Sequence, residues 1–129
     1  MLMSGAALRQ ALLFHLATYP HLSGGYPHLS DGLHLIYDVV ACTINALTLR
    51  GVPIDDDMEY RVATSSFIAA GGDGNVAWTQ GCIVFESPTS IETLVSAYVE
   101  SLRLVDYNAV GDRLVLVDPS VRTNDDGLN

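Results

Sequence analysis

With 129 residues, the chain has room for one domain built on one hydrophobic core. A formal net charge of −9 at pH 7 would be repelled by a nucleic-acid duplex or an anionic lipid surface, which sets both aside as partners. Hydrophobic residues reach 49%, charged ones only 16%, and mean hydropathy is +0.27, so part of the apolar surface is expected to lie against something else.

In chain order, Met1-Leu2-Met3 lacks the basic and long apolar regions of a signal peptide, so no secretion address is expected in this chain. Ser4 is a good helix N-cap, and Leu8, Leu12 and Leu16 with Ala11 and His15 recur at helical spacing, predicting a helix over 5–18. Tyr19-Pro20 ends it, because proline disfavours the helical conformation in the residue before it. The span 21–32 is rich in Gly, Pro, Ser and His and reads as a surface loop. The four histidines, His15, His21, His28 and His34, show no spacing that converges ligands on an ion, so they are expected as surface or half-buried side chains.

Leu33 to Tyr37 and Thr43 to Leu49 alternate as strands, close enough to form a hairpin. Asp55-Asp56-Asp57 reads as a solvated turn, and Tyr60 to Thr64 as a further strand. Phe67-Ile68-Ala69-Ala70 is an apolar run expected to be buried, and Gly71-Gly72-Asp73-Gly74 then turns the chain on residues that tolerate positive φ. This turn brings backbone N–H groups close to whatever lies above it and presents Asn75 and Trp78 beside it.

Gly81 to Phe85 reads as a short buried strand or apolar loop. Thr89-x-x-Glu92 has the capping-box pattern, and Ile91, Leu94, Val95, Tyr98, Val99 and Leu102 form an apolar stripe, predicting a second helix over 90–104. Val105 to Asp112 turns back, Leu114 to Val117 is a last strand, and 119–129 is a polar tail. Cys42 and Cys82 lack CxxC spacing and are expected as small buried hydrophobes. The pattern as a whole predicts a single α+β domain over 1–129, with two main helices packed on an antiparallel or mixed sheet of about four to five strands.

The phrase from Tyr60 to Trp78, YRVATSSFIAAGGDGNVAW, resembles the C-terminal, substrate-binding domain of the 5'-nucleotidase family, whose signature is a strand, an apolar segment, Gly-Gly-Asp-Gly and an aromatic residue. Ser4 to Leu12, Gly25 to Ser30 with Gly32 to Asp38, Gly51 to Ile54, and Gly111 to Leu114 resemble the family's helix opening, loop, hairpin and closing strand, so the resemblance runs over about 4–118.

The resemblance implies a two-domain phosphomonoesterase of nucleotide catabolism, often periplasmic or extracellular. Its metallophosphoesterase domain holds the divalent metals and the catalytic residues, and its C-terminal domain stacks a nucleobase between two aromatic rings. This chain has no Asp-x-His or Gly-Asn-His-Asp/Glu motif, so it implies no catalytic or metal-binding residue and no cofactor here. The catalytic domain and one base-clamping aromatic would lie upstream of Met1. The substrate-binding residues implied are Gly71, Gly72, Asp73, Gly74, Asn75 and Trp78.

Two positions depart from the family pattern. Asn75 stands where the family has its second aromatic, and losing a stacking ring worth about 1–3 kcal/mol weakens nucleoside binding. Trp78 either substitutes as a stacking face or packs the loop as a large apolar side chain. Ser65 stands where the family often has Asn. The expected partners are a nucleoside or nucleotide and, through an exposed apolar face, either the metallophosphoesterase domain or a second copy. The alternative function is a freestanding interaction module without nucleotide binding.

Overall fold

The computed structural model describes residues 1–21, 23–105 and 112–120. The chain divides into two compact units, one comprising Met1–Ala11 with Asp55–Asp112, the other Leu12–Ile54 with Arg113–Asn129. Both contain helix and strand, and the whole is of the α+β class. Much of the expected turn over 105–112 and most of the tail over 119–129 fall outside the described residues.

In the first unit, β1 (Leu2–Ser4) pairs antiparallel with β5 (Glu59–Arg61), with Met3 opposite Tyr60. The helix α1 (Gly5–Leu16) begins directly after β1 and contributes residues to each unit. Its first turn is well supplied with partners. Ser4 Oγ accepts from Ala7 N at 3.2 Å, as expected of an N-cap, while Gly5 N and Ala6 N donate to the carbonyls of Met58 and Asp56. Met3, Ala7, Leu8 and Ala11 are buried.

The short helix α2 (Ser66–Ala69) follows, and after the glycine turn comes α3 (Ile91–Leu102). The cap of α3 lies one residue beyond the predicted one: Ser90, not Thr89, accepts from the N–H of Thr93 at 3.2 Å. No residue of α3 is buried, so its apolar stripe is uncovered, contrary to the expectation that this helix packs on the sheet. Gly81 to Phe85 is not a buried strand either. Cys82 alone forms a bridge, exchanging two 2.8 Å backbone hydrogen bonds with Leu2, and Ile83, Val84 and Phe85 are exposed.

The second unit is a four-stranded sheet. β2 (Leu33–Asp38) pairs antiparallel with β3 (Thr43–Leu49), β3 with the two-residue β4 (Val52–Pro53), and β6 (Leu114–Val117) lies parallel on the other side of β2. Alternation places Leu35 and Tyr37 of β2 on one buried face, and Leu47, the cross-strand partner of Leu35, is buried with them. Ile36 faces Ala46 but Tyr37 faces Ile44, so Asn45 is the extra residue of a bulge.

Asp38 closes the hairpin, its Oδ1 accepting from Val40 N at 2.9 Å and Ala41 N at 2.8 Å. Cys42 completes the turn at φ 55°, which places its thiol outside rather than in the core. Cys82 is exposed too, so the expectation of two buried thiols is corrected at both positions. His15 is buried, unlike the other histidines, with its ring against Gly25 and edge-on to Phe14.

Burial pushes the Tyr37 phenol up to about 12 from 10.0, and the thiol of Cys42 and the carboxylate of Asp38 add to the rise. An unfolded tyrosine releases its proton near pH 10 while this folded one retains it, so the folded state binds more protons across pH 10 to 12. The contribution is fully present below pH 10 and is lost as pH rises through about 12. Alkaline unfolding followed by circular dichroism is therefore expected to steepen over that window, and Tyr37→Phe is expected to flatten it. An unchanged alkaline limb in the Phe variant would contradict this assignment.

Candidate functional site

The candidate site is built from the chain between Ser65 and Gln80. Ser65 has extended backbone, and its Oγ accepts from Ile68 N at 3.2 Å, so it caps the single turn of α2. The capping oxygen is the property that serine shares with asparagine at this position.

Gly71 then enters the left-handed region at φ 83°, Asp73 lies at φ 56° and Gly74 at φ 79°. These left-handed residues coil the segment into a tight 3-10 turn over Gly72–Gly74, followed by a second over Val76–Gln80. At Gly71 any side chain would be strained by the backbone and would press on Thr79. Gly72 has a different reason for being glycine: the Phe67 ring lies against its Cα and occupies the space a side chain would need.

Two of the six predicted binding residues are anchors. Asn75 is fully buried at 0% exposure, and its Nδ2 donates to the carbonyl of Ala11 in α1 at 2.8 Å. Trp78 is 8% exposed, so its side chain packs against the loop with little of the ring reaching solvent. Asn75 Oδ1 and Trp78 Nε1 are buried without a hydrogen-bond partner among the described residues. Gln80 Nε2 donates to Gln10 Oε1 at 3.0 Å, so the far end of the segment is also tied to α1. The other four residues form the rim: Gly71 and Gly72 are half-buried, and Asp73 and Gly74 face solvent.

Sequence reasoning misplaces the run Phe67-Ile68-Ala69-Ala70, none of which is buried, and Phe67 above all. Its apolar run puts it in the core, yet it is 58% exposed. The helical turn capped by Ser65 carries it to the surface beside the glycine turn. An exposed aromatic ring, an exposed carboxylate at Asp73 and a turn of glycine backbone thus lie within one short segment. No sequence signal marks Phe67 as exposed, because an apolar run of this length reads as buried unless the cap is recognised.

A family model described as 5'-nucleotidase, C-terminal domain, matches residues 1–80 of the chain. The chain belongs to this family. Among its relatives, a 5'-nucleotidase of Diplobatis ommata is 31% identical over 68 residues. That alignment takes in 53% of this chain and 12% of the relative, so the chain spans a small part of that protein's length.

As a 5'-nucleotidase C-terminal domain, the chain carries the Gly71–Gly74 turn and its anchors inside the matched residues, whereas α3 and β6 lie beyond them. Among the described residues, no group of three or more His, Cys, Asp or Glu side chains is gathered to hold an ion. The acidic run is engaged otherwise: Asp56 pairs with Arg9 at 3.2 Å, and Asp55 Oδ1 accepts from Asp57 N. Among the described residues, no helix is long and apolar enough to cross a membrane.

Proposed function

We propose that this domain recognises the nucleoside part of a nucleotide for a 5'-nucleotidase-like phosphomonoester hydrolase, with hydrolysis performed by a separate metallophosphoesterase domain. Membership of the family supports the reading at the level of a nucleotidase-related domain. The observation that carries it further is the exposed Phe67 ring laid against Gly72, next to the rim of Gly71, Gly72, Asp73 and Gly74. A flat π surface accepts any nucleobase by stacking, and a neighbouring carboxylate accepts hydrogen bonds from sugar hydroxyls or base N–H groups. Asn75 and Trp78 hold the rim in place from below and make no contact with the ligand in this reading.

One ring binds weakly. A single stacking contact contributes about 1–3 kcal/mol, so binding is expected near the millimolar range until a second ring closes over the base. Calorimetric titration with adenosine, AMP and UMP tests this. Measurable heat is expected with each, and Phe67→Ala is expected to weaken binding by about tenfold or more while leaving the melting temperature in place. Absence of heat at millimolar ligand, or binding indifferent to Phe67, would remove the proposal. Phosphatase activity with added Mn²⁺ or Zn²⁺ is expected to be absent, and turnover abolished by a chelator would show that this chain builds its own metal centre.

A further inference from the structure

The inner side of the glycine turn holds two polar atoms that the protein itself does not satisfy. Asn75 is fully buried and Trp78 nearly so, yet Asn75 Oδ1 and Trp78 Nε1 have no hydrogen-bond partner among the described residues. We propose that these two atoms form a binding site for a single buried water molecule, which accepts from the indole N–H and donates to the amide oxygen.

Three observations define the site. First, the two atoms are complementary in kind. The indole nitrogen can only donate and the amide oxygen can only accept, so a ligand serving both must accept and donate at once. Leaving either one buried and unpaired is costly, and ordered water is the usual remedy for such pairs. Water is also the smallest molecule able to do both, as a turn tied to α1 at Asn75 and again at Gln80 requires.

Second, the backbone sets the two side chains on one side. Asn75 caps the 3-10 turn over Val76–Gln80, and Trp78 lies three residues further on, its N–H donating to the Asn75 carbonyl at 3.4 Å. Side chains three apart in a 3-10 turn eclipse each other, so amide and indole leave the backbone in the same direction.

Third, the orientation of the amide is fixed. Asn75 Nδ2 donates to the carbonyl of Ala11 at 2.8 Å. Flipping the amide would set Oδ1 against that carbonyl, two acceptors with no hydrogen between them. Oδ1 therefore faces away from the Ala11 carbonyl and takes its partner from elsewhere. With the water in place, one continuous chain of hydrogen bonds runs from α1 through the Asn75 amide to the Trp78 ring. The network needs a donor and an acceptor on the same short side chain, which gives a reason for asparagine at position 75. The bridge lies under the turn, so the inference does not depend on nucleotide binding at the rim.

Trp78 is the sole tryptophan, so the ¹⁵N-labelled full chain shows a single indole N–H resonance. Water-selective NOE and ROE spectra at that proton test the proposal. Cross-peaks to water of opposite sign in the two spectra are expected, the mark of a bound water, whereas chemical exchange gives the same sign in both. Asn75→Leu, with its fold checked by circular dichroism, is expected to abolish them, because the water loses the acceptor that holds it. Phe67→Ala is expected to leave them in place, since that ring takes no part in the bridge. An indole proton of the unaltered chain with no such cross-peaks would overturn the proposal, whether or not the leucine variant folds. Cross-peaks that persist at full strength in a folded Asn75→Leu chain would overturn it too, since the water would then be held without Asn75.

Discussion

Trp78→Ala is expected to lower the stability of the chain by about 3–5 kcal/mol, the range for removing a large aromatic from a packed site. Trp78 is 8% exposed, and the 3-10 turn over Val76–Gln80 is wound around it. Against a total of about 5–15 kcal/mol for a domain, such a loss moves the melting temperature down by roughly 10–20 °C. Trp78→Phe is expected to recover much of it, because the indole Nε1 has no partner among the described residues whose loss would add to the cost. Thermal unfolding followed by far-ultraviolet circular dichroism measures both variants. Were Trp78 instead an open stacking face, the alanine variant would keep its melting temperature and lose only nucleoside affinity, and that outcome would reverse the assignment of Trp78 as an anchor and Phe67 as the ring.

The second large effect is expected from Asn75→Phe, which restores the aromatic residue that the family resemblance places after Gly74. Judged from sequence alone, the change should complete a base clamp and improve binding. Asn75 has 0% exposure, however, and its Nδ2 is committed to the carbonyl of Ala11. A phenyl ring there needs more volume than the site holds, and overpacking costs about 1–3 kcal/mol. Loss of the buried hydrogen bond adds about 1 kcal/mol. The expected result is a chain destabilised by about 2–4 kcal/mol with no gain in affinity for adenosine. Urea unfolding and calorimetry on the same sample decide it, and a stable variant with tighter binding would show that the turn re-seats itself with residue 75 turned outward.

The elements carried by local periodicity were legible before any coordinates. Leu8, Leu12 and Leu16 mark α1, Ser4 caps it, and the alternation around Leu35, Tyr37 and Leu47 marks the β2–β3 hairpin. The left-handed turn at Gly71 and Gly74 was legible for the same reason, since glycine at such a position is a local requirement. What could not be read is the part fixed by contacts distant in sequence. Nothing near Asn75 announces that it is buried, because the carbonyl that receives its side chain lies 64 positions away. Phe67 leaves its expected buried place for a similar reason, and the choice left open for Trp78 could not be read: both are large and apolar, and the Ser65 cap and the second turn decide which one faces water. The stripe on α3 was legible as a helix face, but periodicity states only that a face is apolar, not what covers it. Cys42 and Cys82 were misjudged by residue type, since a turn tip and an isolated bridge take thiols out of the core regardless of their preference.

The parallel pairing of β6 with β2 also bears on how the second sheet is assembled. The hairpin of β2 and β3 closes over a few residues, but β6 belongs to the far end of the chain. Loop closure over so long a span is entropically costly, and non-local strand pairing is slow to form. During synthesis the hairpin therefore emerges and folds first, with the edge of β2 unoccupied until β6 has also left the ribosome. In that interval Leu33 to Asp38 is the stretch most open to pairing with a neighbouring nascent chain.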